Sequence, residues 1–174
     1  MTLSNQKPAM NKALFLDRDG IINVDRGYIY RSEDFEFTEG IFDLCRLAKD
    51  KGYIIVVVTN QSGIERGFFS TQDYESLTAH MLKEFERNGV TIDDVFVCPF
   101  LEHADRKPAP GMLIKARRKH DIDMSASLMV GDKPSDIEAA RAAGVGKLAL
   151  LSHKPSSDSS VLIVRNLKEV EVLL

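Results

Sequence analysis

The feature that most limits what this chain can become is the run YIIVVV at 53–58. Apolar at every position and rich in β-branched residues, it is far shorter than the roughly 20 residues a membrane-spanning helix needs. A strand that is apolar only at alternate positions can leave one face in water, but this one must be covered on both. It therefore belongs in the middle of a parallel sheet with helices on each side. The rest of the chain supplies those partners in alternation. ALFL at 13–16, DVFVC at 94–98, SLMV at 127–130, KLALL at 147–151 and VLIV at 161–164 read as further strands. Ile41, Leu44, Leu47 and Ala48 recur at helical spacing before Gly52. Tyr74, Leu77, Met81 and Phe85 do the same between a Ser70–Asp73 capping box and Asn88-Gly89. Two more helices are expected, over 110–119 with proline at its start and over 134–143 before Gly144. The expected fold is α/β, a single doubly wound parallel-sheet domain joined by right-handed crossovers.

A chain of 174 residues with 44% hydrophobic content buries enough surface to need no disulfide or metal staple. We expect a flexible N-terminal tail over 1–11, which is polar and has no apolar leader, and one domain over 12–174. The net charge of -3 advertises no basic face, so no nucleic-acid partner is expected. No membrane segment is expected either. Cys45 and Cys98 lie far apart with no paired spacing and read as reduced thiols, which points to a cytoplasmic protein. No unpartnered apolar helix stands out, and a monomer is expected. The serine cluster 156–160 reads as a surface loop.

In sheets of this kind ligands bind beyond the carboxyl ends of the strands. The chemically capable residues fall at those ends. Asp17 and Asp19 follow ALFL, Thr59 and Asn60 end the run beginning at Tyr53, Arg106 and Lys107 lie in the loop after DVFVC, and Asp132 follows SLMVG. Each has a plain alternative: Asp17 and Asp19 as turn residues before Gly20, Asp132 as a turn aspartate, Lys107 as a solvated loop lysine. Their joint placement fits phosphoryl transfer, where cations must neutralise the phosphate and the attacking and leaving oxygens must lie in line. Asp17 can act as a carboxylate nucleophile. Asp19 can protonate a leaving alcohol and then deprotonate water. Asp17, Asp132 and the main-chain carbonyl of Asp19 form an oxygen-only set suited to Mg²⁺. Lys107 and the Thr59 hydroxyl can stabilise the transferring group.

DRDG at 17–20, VVVTN at 56–60, RKPAPGM at 106–112 and GDKPSD at 131–136 together resemble the haloacid-dehalogenase (HAD) superfamily, whose core is a Rossmann-like sheet. FLDRDGIINVDRGYI at 15–29, TNQSGIERG at 59–67 and MVGDKPSDIEAARAAGVG at 129–146 are similar to the D-glycero-D-manno-heptose 1,7-bisphosphate 7-phosphatase family, with the histidinol-phosphatase domain a near relative. The resemblance implies catalytic Asp17, Asp19, Thr59 and Lys107, and a Mg²⁺ site on Asp17, Asp19 and Asp132. It implies substrate contacts from Asp25, Arg26, Gly27, Tyr28, Asn60, Gln61, Ser62, Arg106 and Lys133. Asp136 is expected to orient Lys107 or Lys133 rather than to bind metal. The implied activity removes the C7 phosphate of a heptose bisphosphate, a sugar phosphate used on the route to lipopolysaccharide and other surface glycans. The alternatives are a histidinol-phosphate phosphatase or a broader small-metabolite phosphatase. A phosphate-sensing module without catalysis and a nucleic-acid 3′-phosphatase are disfavoured by the intact acidic set and by the acidic balance.

One stretch departs from the pattern. Family members commonly carry a zinc loop opening C-P-H-H and closing with a C-x-C pair, whereas here Cys98-Pro99 is followed by Phe100, and only 101–105 separate it from Arg106. One cysteine and His103 do not complete a tetrahedral set, so no zinc is expected. Only about twenty residues lie between Gly20 and Gly40, enough for a small flap and no large cap.

Overall fold

The computed structural model describes residues 10–174, in which the strand at 53–58 is the second of six parallel strands. They are β1 (Lys12–Leu16), β2 (Tyr53–Asn60), β3 (Asp94–Cys98), β4 (Leu128–Gly131), β5 (Lys147–Leu151) and β6 (Leu162–Val164), in the spatial order β3-β2-β1-β4-β5-β6. The chain winds outward from β1 to β3, then crosses back to lay β4 on the other side of β1. This reversal opens a crevice between the ends of β1 and β4, where Leu16 pairs with Val130.

Helices α1 (Ile41–Asp50) and α2 (Thr71–Arg87) cover one face of the sheet, and α3 (Gly111–His120) and α4 (Pro134–Ala142) the other. Alternation along β1 and β2 divides the core between them. Leu14, Leu16, Ile55 and Val57 join Leu44, Leu77, Met81 and Phe85, while Ala13, Phe15, Val56 and Val58 join Met112, Leu113, Ala116 and Ile137. The Ser70–Asp73 capping box forms as expected: Asp73 N donates to Ser70 Oγ (3.0 Å) and Ser70 N to Asp73 Oδ2 (2.8 Å). Each satisfies an orphan donor of the first turn.

The serine cluster forms a surface loop, as expected; this loop makes the crossover from β5 to β6 and is pinned where Arg141 pairs with Asp158 and donates to Ser160 Oγ. Two details differ from the sequence reading. Asn11 belongs to the fold rather than to a tail: its N–H donates to Asp121 O (3.0 Å) and its carbonyl accepts from Asp123 N (2.8 Å). The remainder of the expected tail, residues 1–9, lies outside the described residues. A 3-10 helix, Leu167–Leu173, closes the chain by burying Leu167 and Val170 against the α1 side of the core. No helix of the described residues is long and apolar enough to cross a membrane.

Residues 21–39 form the small flap, which returns on itself where Val24 N donates to Glu36 O (2.9 Å) and Thr38 N to Ile22 O (2.9 Å). It is rooted by aromatic packing. Phe85 on α2 meets the rings of Phe37 and Phe42 edge-on, with centroids at 5.8 Å and 5.1 Å. Because Phe85 is fully buried, Phe85→Ala should cost about 3–5 kcal/mol of stability through lost contacts and a cavity, read as a lower midpoint in urea denaturation.

Candidate active site

Asp17 is the first residue beyond β1, yet it stays in register with the sheet because its N–H donates to Val130 O of β4 (3.2 Å). Its carboxylate lies in the crevice between β1 and β4. Oδ1 accepts from the main-chain N–H of Arg18 (2.9 Å) and from Lys107 Nζ (2.8 Å). Lys107 comes from the loop after β3 and is held at three points: Asp17, the Val58 carbonyl (2.7 Å) and Asp136 Oδ1 (2.7 Å). The other Asp136 oxygen accepts from the N–H groups of Asp132 and Lys133, both at 3.1 Å, at the start of α4. Asp136 therefore fixes Lys107 and the turn carrying Asp132 at once, and both of its oxygens are engaged. Gly131 makes this approach available, since a Cβ there would lie 2.3 Å from Asp136 Cβ.

Asp132 stands over the crevice opposite Asp17. One of its oxygens, Oδ1, is buried without a hydrogen-bond partner, an uncommon condition for a carboxylate. Asp17, Asp132 and Asp136 each bring a carboxylate oxygen within 4.8 Å of the others, and among the described residues theirs is the only such group of three acidic, histidine or cysteine side chains. Three carboxylates face two ammoniums, Lys107 and, 3.9 Å from Asp132 Oδ2, Lys133, which leaves an excess of one negative charge when all are ionised. Gly20 completes the cradle, because a Cβ on it would fall 2.2 Å from Asp132 Oδ2.

The electrostatics follow from this crowding. Burial pushes the Asp17 carboxyl up to about 7 against the pull of Lys107, and Asp136 and Asp132 add to the rise. Asp132 is raised as well, first by burial, then by Asp136 and Asp25, with Lys133 opposing. Burial works against the Lys107 charge, but Asp17 and Asp136 more than offset it and hold the ammonium above its ordinary value.

Asp19 presents a different picture. Its oxygens accept from Arg18 (Nη2 at 2.9 and 3.1 Å), from Asn23 Nδ2 (3.1 Å) and from Gln61 Nε2 (2.8 Å). Gln61 Nε2 also donates to Thr59 Oγ1 (2.9 Å), which leaves the Thr59 hydroxyl proton free to donate elsewhere. Asn60 and Lys107 exchange hydrogen bonds in both directions, Nδ2 to the Lys107 carbonyl (3.0 Å) and Lys107 N to Oδ1 (3.1 Å), so Asn60 shapes the Lys107 loop.

Above these groups opens a cavity of about 460 Å³. Asp19, Asp25, Gly27, Tyr28, Asn60, Gln61, Ser62, Arg106, Lys107 and Lys133 all line it. Arg26 does not; it is exposed and paired with Glu36. Asp25 reaches across the mouth to Lys133 Nζ (3.2 Å). Burial opposes its charge, but the Gly27 N–H and Lys133 outweigh burial and hold the Asp25 carboxyl below its usual range. Arg106 donates to Phe100 O (3.2 Å) and so braces the shortened loop, where Cys98 is buried and the His103 ring packs on Phe100. Two residues escaped the sequence reading, Arg18 and Asn23, both buried and both on Asp19. The signal was present in Arg18, a cation wedged between two aspartates directly after a buried strand.

This sheet order, with an acidic cluster and a buried lysine at the switch point, defines a hydrolase of the HAD class. Comparison with known proteins agrees. The family model of HAD-hydrolase-like proteins matches residues 104–167. The D-glycero-alpha-D-manno-heptose-1,7-bisphosphate 7-phosphatase of Campylobacter jejuni is 45% identical over 91% of this chain and 93% of its own length. The beta-anomer counterpart of Helicobacter pylori is 43% identical over 92% and 95%. Among solved structures, D,D-heptose 1,7-bisphosphate phosphatase from B. bronchiseptica complexed with magnesium and phosphate superposes with a TM-score of 0.81 at 27% identity, covering 92% of this chain and 96% of that one. The chain belongs to the heptose-1,7-bisphosphate 7-phosphatase family of HAD phosphatases.

The metal-free protein carries a stability signature of the crowded carboxylates. A carboxyl whose folded value is raised stabilises fully below its unfolded value, and that contribution is lost as pH climbs through the folded one. Thermal unfolding in EDTA should therefore show the melting temperature falling between about pH 4 and pH 7. The fall should be smaller in Asp17→Asn.

Proposed function

We propose that the protein removes the C7 phosphate of a D-glycero-D-manno-heptose 1,7-bisphosphate through an aspartyl-phosphate on Asp17. The observation that carries this reading is the buried Lys107 ammonium, bound to Asp17 and Asp136 together, beside an Asp132 carboxylate with one oxygen unpartnered. Asp17 Oδ attacks the phosphorus, and the bond to the C7 oxygen breaks as Asp19 delivers a proton to the departing alcohol. Asp19, now ionised, takes a proton from a water that attacks the aspartyl-phosphate, and inorganic phosphate leaves with Asp17 restored. Lys107 and the free Thr59 hydroxyl proton offset the charge of the phosphoryl oxygens in both halves.

The donor set fits Mg²⁺: an orphaned carboxylate oxygen on Asp132, the facing Asp17 and a local excess of negative charge. Asp17, Asp132 and the main-chain carbonyl of Asp19 would hold it, and it supplies positive charge against the phosphoryl oxygens. Asp136 is spent on Lys107 and the α4 turn and holds the site rather than the ion. Zinc is not expected, since Cys98 and His103 offer only two donors. Arg106 and Lys133 line the same cavity and suit the second phosphate of the substrate; the guanidinium fork matches phosphate geometry. A cytoplasmic monomer acting on a small sugar phosphate is the simplest setting for this chemistry.

Asp17→Asn should abolish turnover with the fold retained, and near-native activity would exclude the covalent route. Asp19→Asn should slow kcat by about 10²–10⁴-fold. Chelation by EDTA should silence the enzyme and Mg²⁺ restore it, while elemental analysis showing one zinc per chain would overturn the reading of the shortened loop. Steady-state kinetics on both heptose bisphosphate anomers and on histidinol phosphate test the substrate. A higher kcat/KM for histidinol phosphate would reassign it.

A further inference from the structure

Arg18 is the largest fully buried side chain among the described residues, 2% exposed, and the reaction just described gives it no role. It touches Asp17, Asp19 and the flap. Its main-chain N–H donates to Asp17 Oδ1 (2.9 Å). Its carbonyl accepts from the N–H groups of Ile21, Ile22 and Asn23 (3.3, 2.8 and 3.1 Å), folding the first turn of the flap. Its guanidinium reaches Asp19 through Nε (3.3 Å) and Nη2 (2.9 and 3.1 Å), and Nη2 also donates to the Ile29 carbonyl in the flap (2.9 Å). The Phe35 ring lies beside the guanidinium, 6.0 Å from Cζ to the centroid.

We propose that Arg18 is a positioning residue for phosphoryl transfer, fixing the direction of the Asp19 carboxyl and tying it to the flap. A cation buried merely to be neutralised needs one carboxylate oxygen. Arg18 instead spans both Asp19 oxygens and a flap carbonyl through one planar group, a geometry that an ammonium cannot reproduce. The flap that borders the sugar and the carboxyl that serves the leaving oxygen are thereby one mechanical unit. A sugar seated under the flap finds Asp19 already aimed, and a carboxyl freed from Arg18 would sample several rotamers, only one of which delivers its proton to the breaking bond. Asn23 and Gln61 brace the same carboxyl, but both are neutral and neither reaches the Ile29 carbonyl.

This inference rests on the assignment of Asp19 as acid/base, and its test separates the two. Arg18→Met keeps the length and apolar packing of the stem, and Arg18→Lys keeps the charge without the fork; if the methionine variant does not fold, the lysine variant carries the experiment. Each is assayed on a heptose bisphosphate, whose alkoxide must be protonated to leave, and on p-nitrophenyl phosphate, whose nitrophenolate leaves unaided. On the sugar phosphate kcat should fall about 10²-fold with KM little changed, the scale of a lost proton transfer. On the aryl phosphate the first-turnover burst of nitrophenolate should keep its wild-type rate while the steady state slows. A wild-type kcat on the sugar phosphate in a folded variant, even with a lowered melting temperature, would reduce Arg18 to a structural residue, as would equal losses on the burst and on the sugar. Asp19→Asn is run beside them. If it shows the leaving-group dependence and the Arg18 variants do not, only the Arg18 inference is lost; if Asp19→Asn shows none, the acid/base assignment falls with it.

Discussion

The site depends on one buried ammonium. Lys107 is 3% exposed, and the two carboxylates it binds are Asp17 at 5% and Asp136 at 1%. Removing Lys107 would leave two buried carboxylates uncompensated, a loss of about 3–5 kcal/mol, whereas removing either carboxylate leaves a one-to-one pair. Asp136 uses its second oxygen on the turn that presents Asp132, which extends the dependence to the fourth group. The arrangement keeps the Asp17 carboxylate in a dry crevice next to a fixed positive charge. In a medium that screens poorly, that charge acts on an incoming phosphate far more strongly than a solvated lysine would.

Strand ends and connecting loops divide the work. Groups that the proposed chemistry uses directly sit at the ends of β1, β2 and β4 or are anchored to them, as Lys107 is through Val58 O and Asn60. Groups that would meet the substrate come from the flap, from the loops after β2 and β3 and from Lys133 at the start of α4. The loop after β3 keeps its shape through bonds the chain makes itself: Arg106 to the Phe100 carbonyl, Phe100 against His103, and Lys115 on Asp105.

The frame was legible because its causes are local. The apolar run at 53–58 demanded a central strand, the spacing of Tyr74, Leu77, Met81 and Phe85 demanded a helix, and strand ends followed by Asp, Thr and Asp located the crevice. What escaped reading depends on contacts distant in sequence. Nothing near Asn11 announces its pairing with Ile122. Arg26 and Arg18 look alike on paper; one ends exposed beside Glu36 and the other sealed against Asp19. The assignment of Asp136 to Lys107 could be anticipated because it falls in the first turn of a helix whose start also carries Asp132.

The hydrogen bond from Asp17 N to Val130 O has a further consequence. It carries the ladder between β1 and β4 one step past the end of β1, so the spacing of Asp17 and Asp132 is a property of the sheet and not of a loop. Sliding one strand by a single residue would shift that spacing by about 3.3 Å and turn every side chain of β1 to the wrong core. The gap between the two carboxylates is in effect a gauge cut into the stiffest part of the molecule.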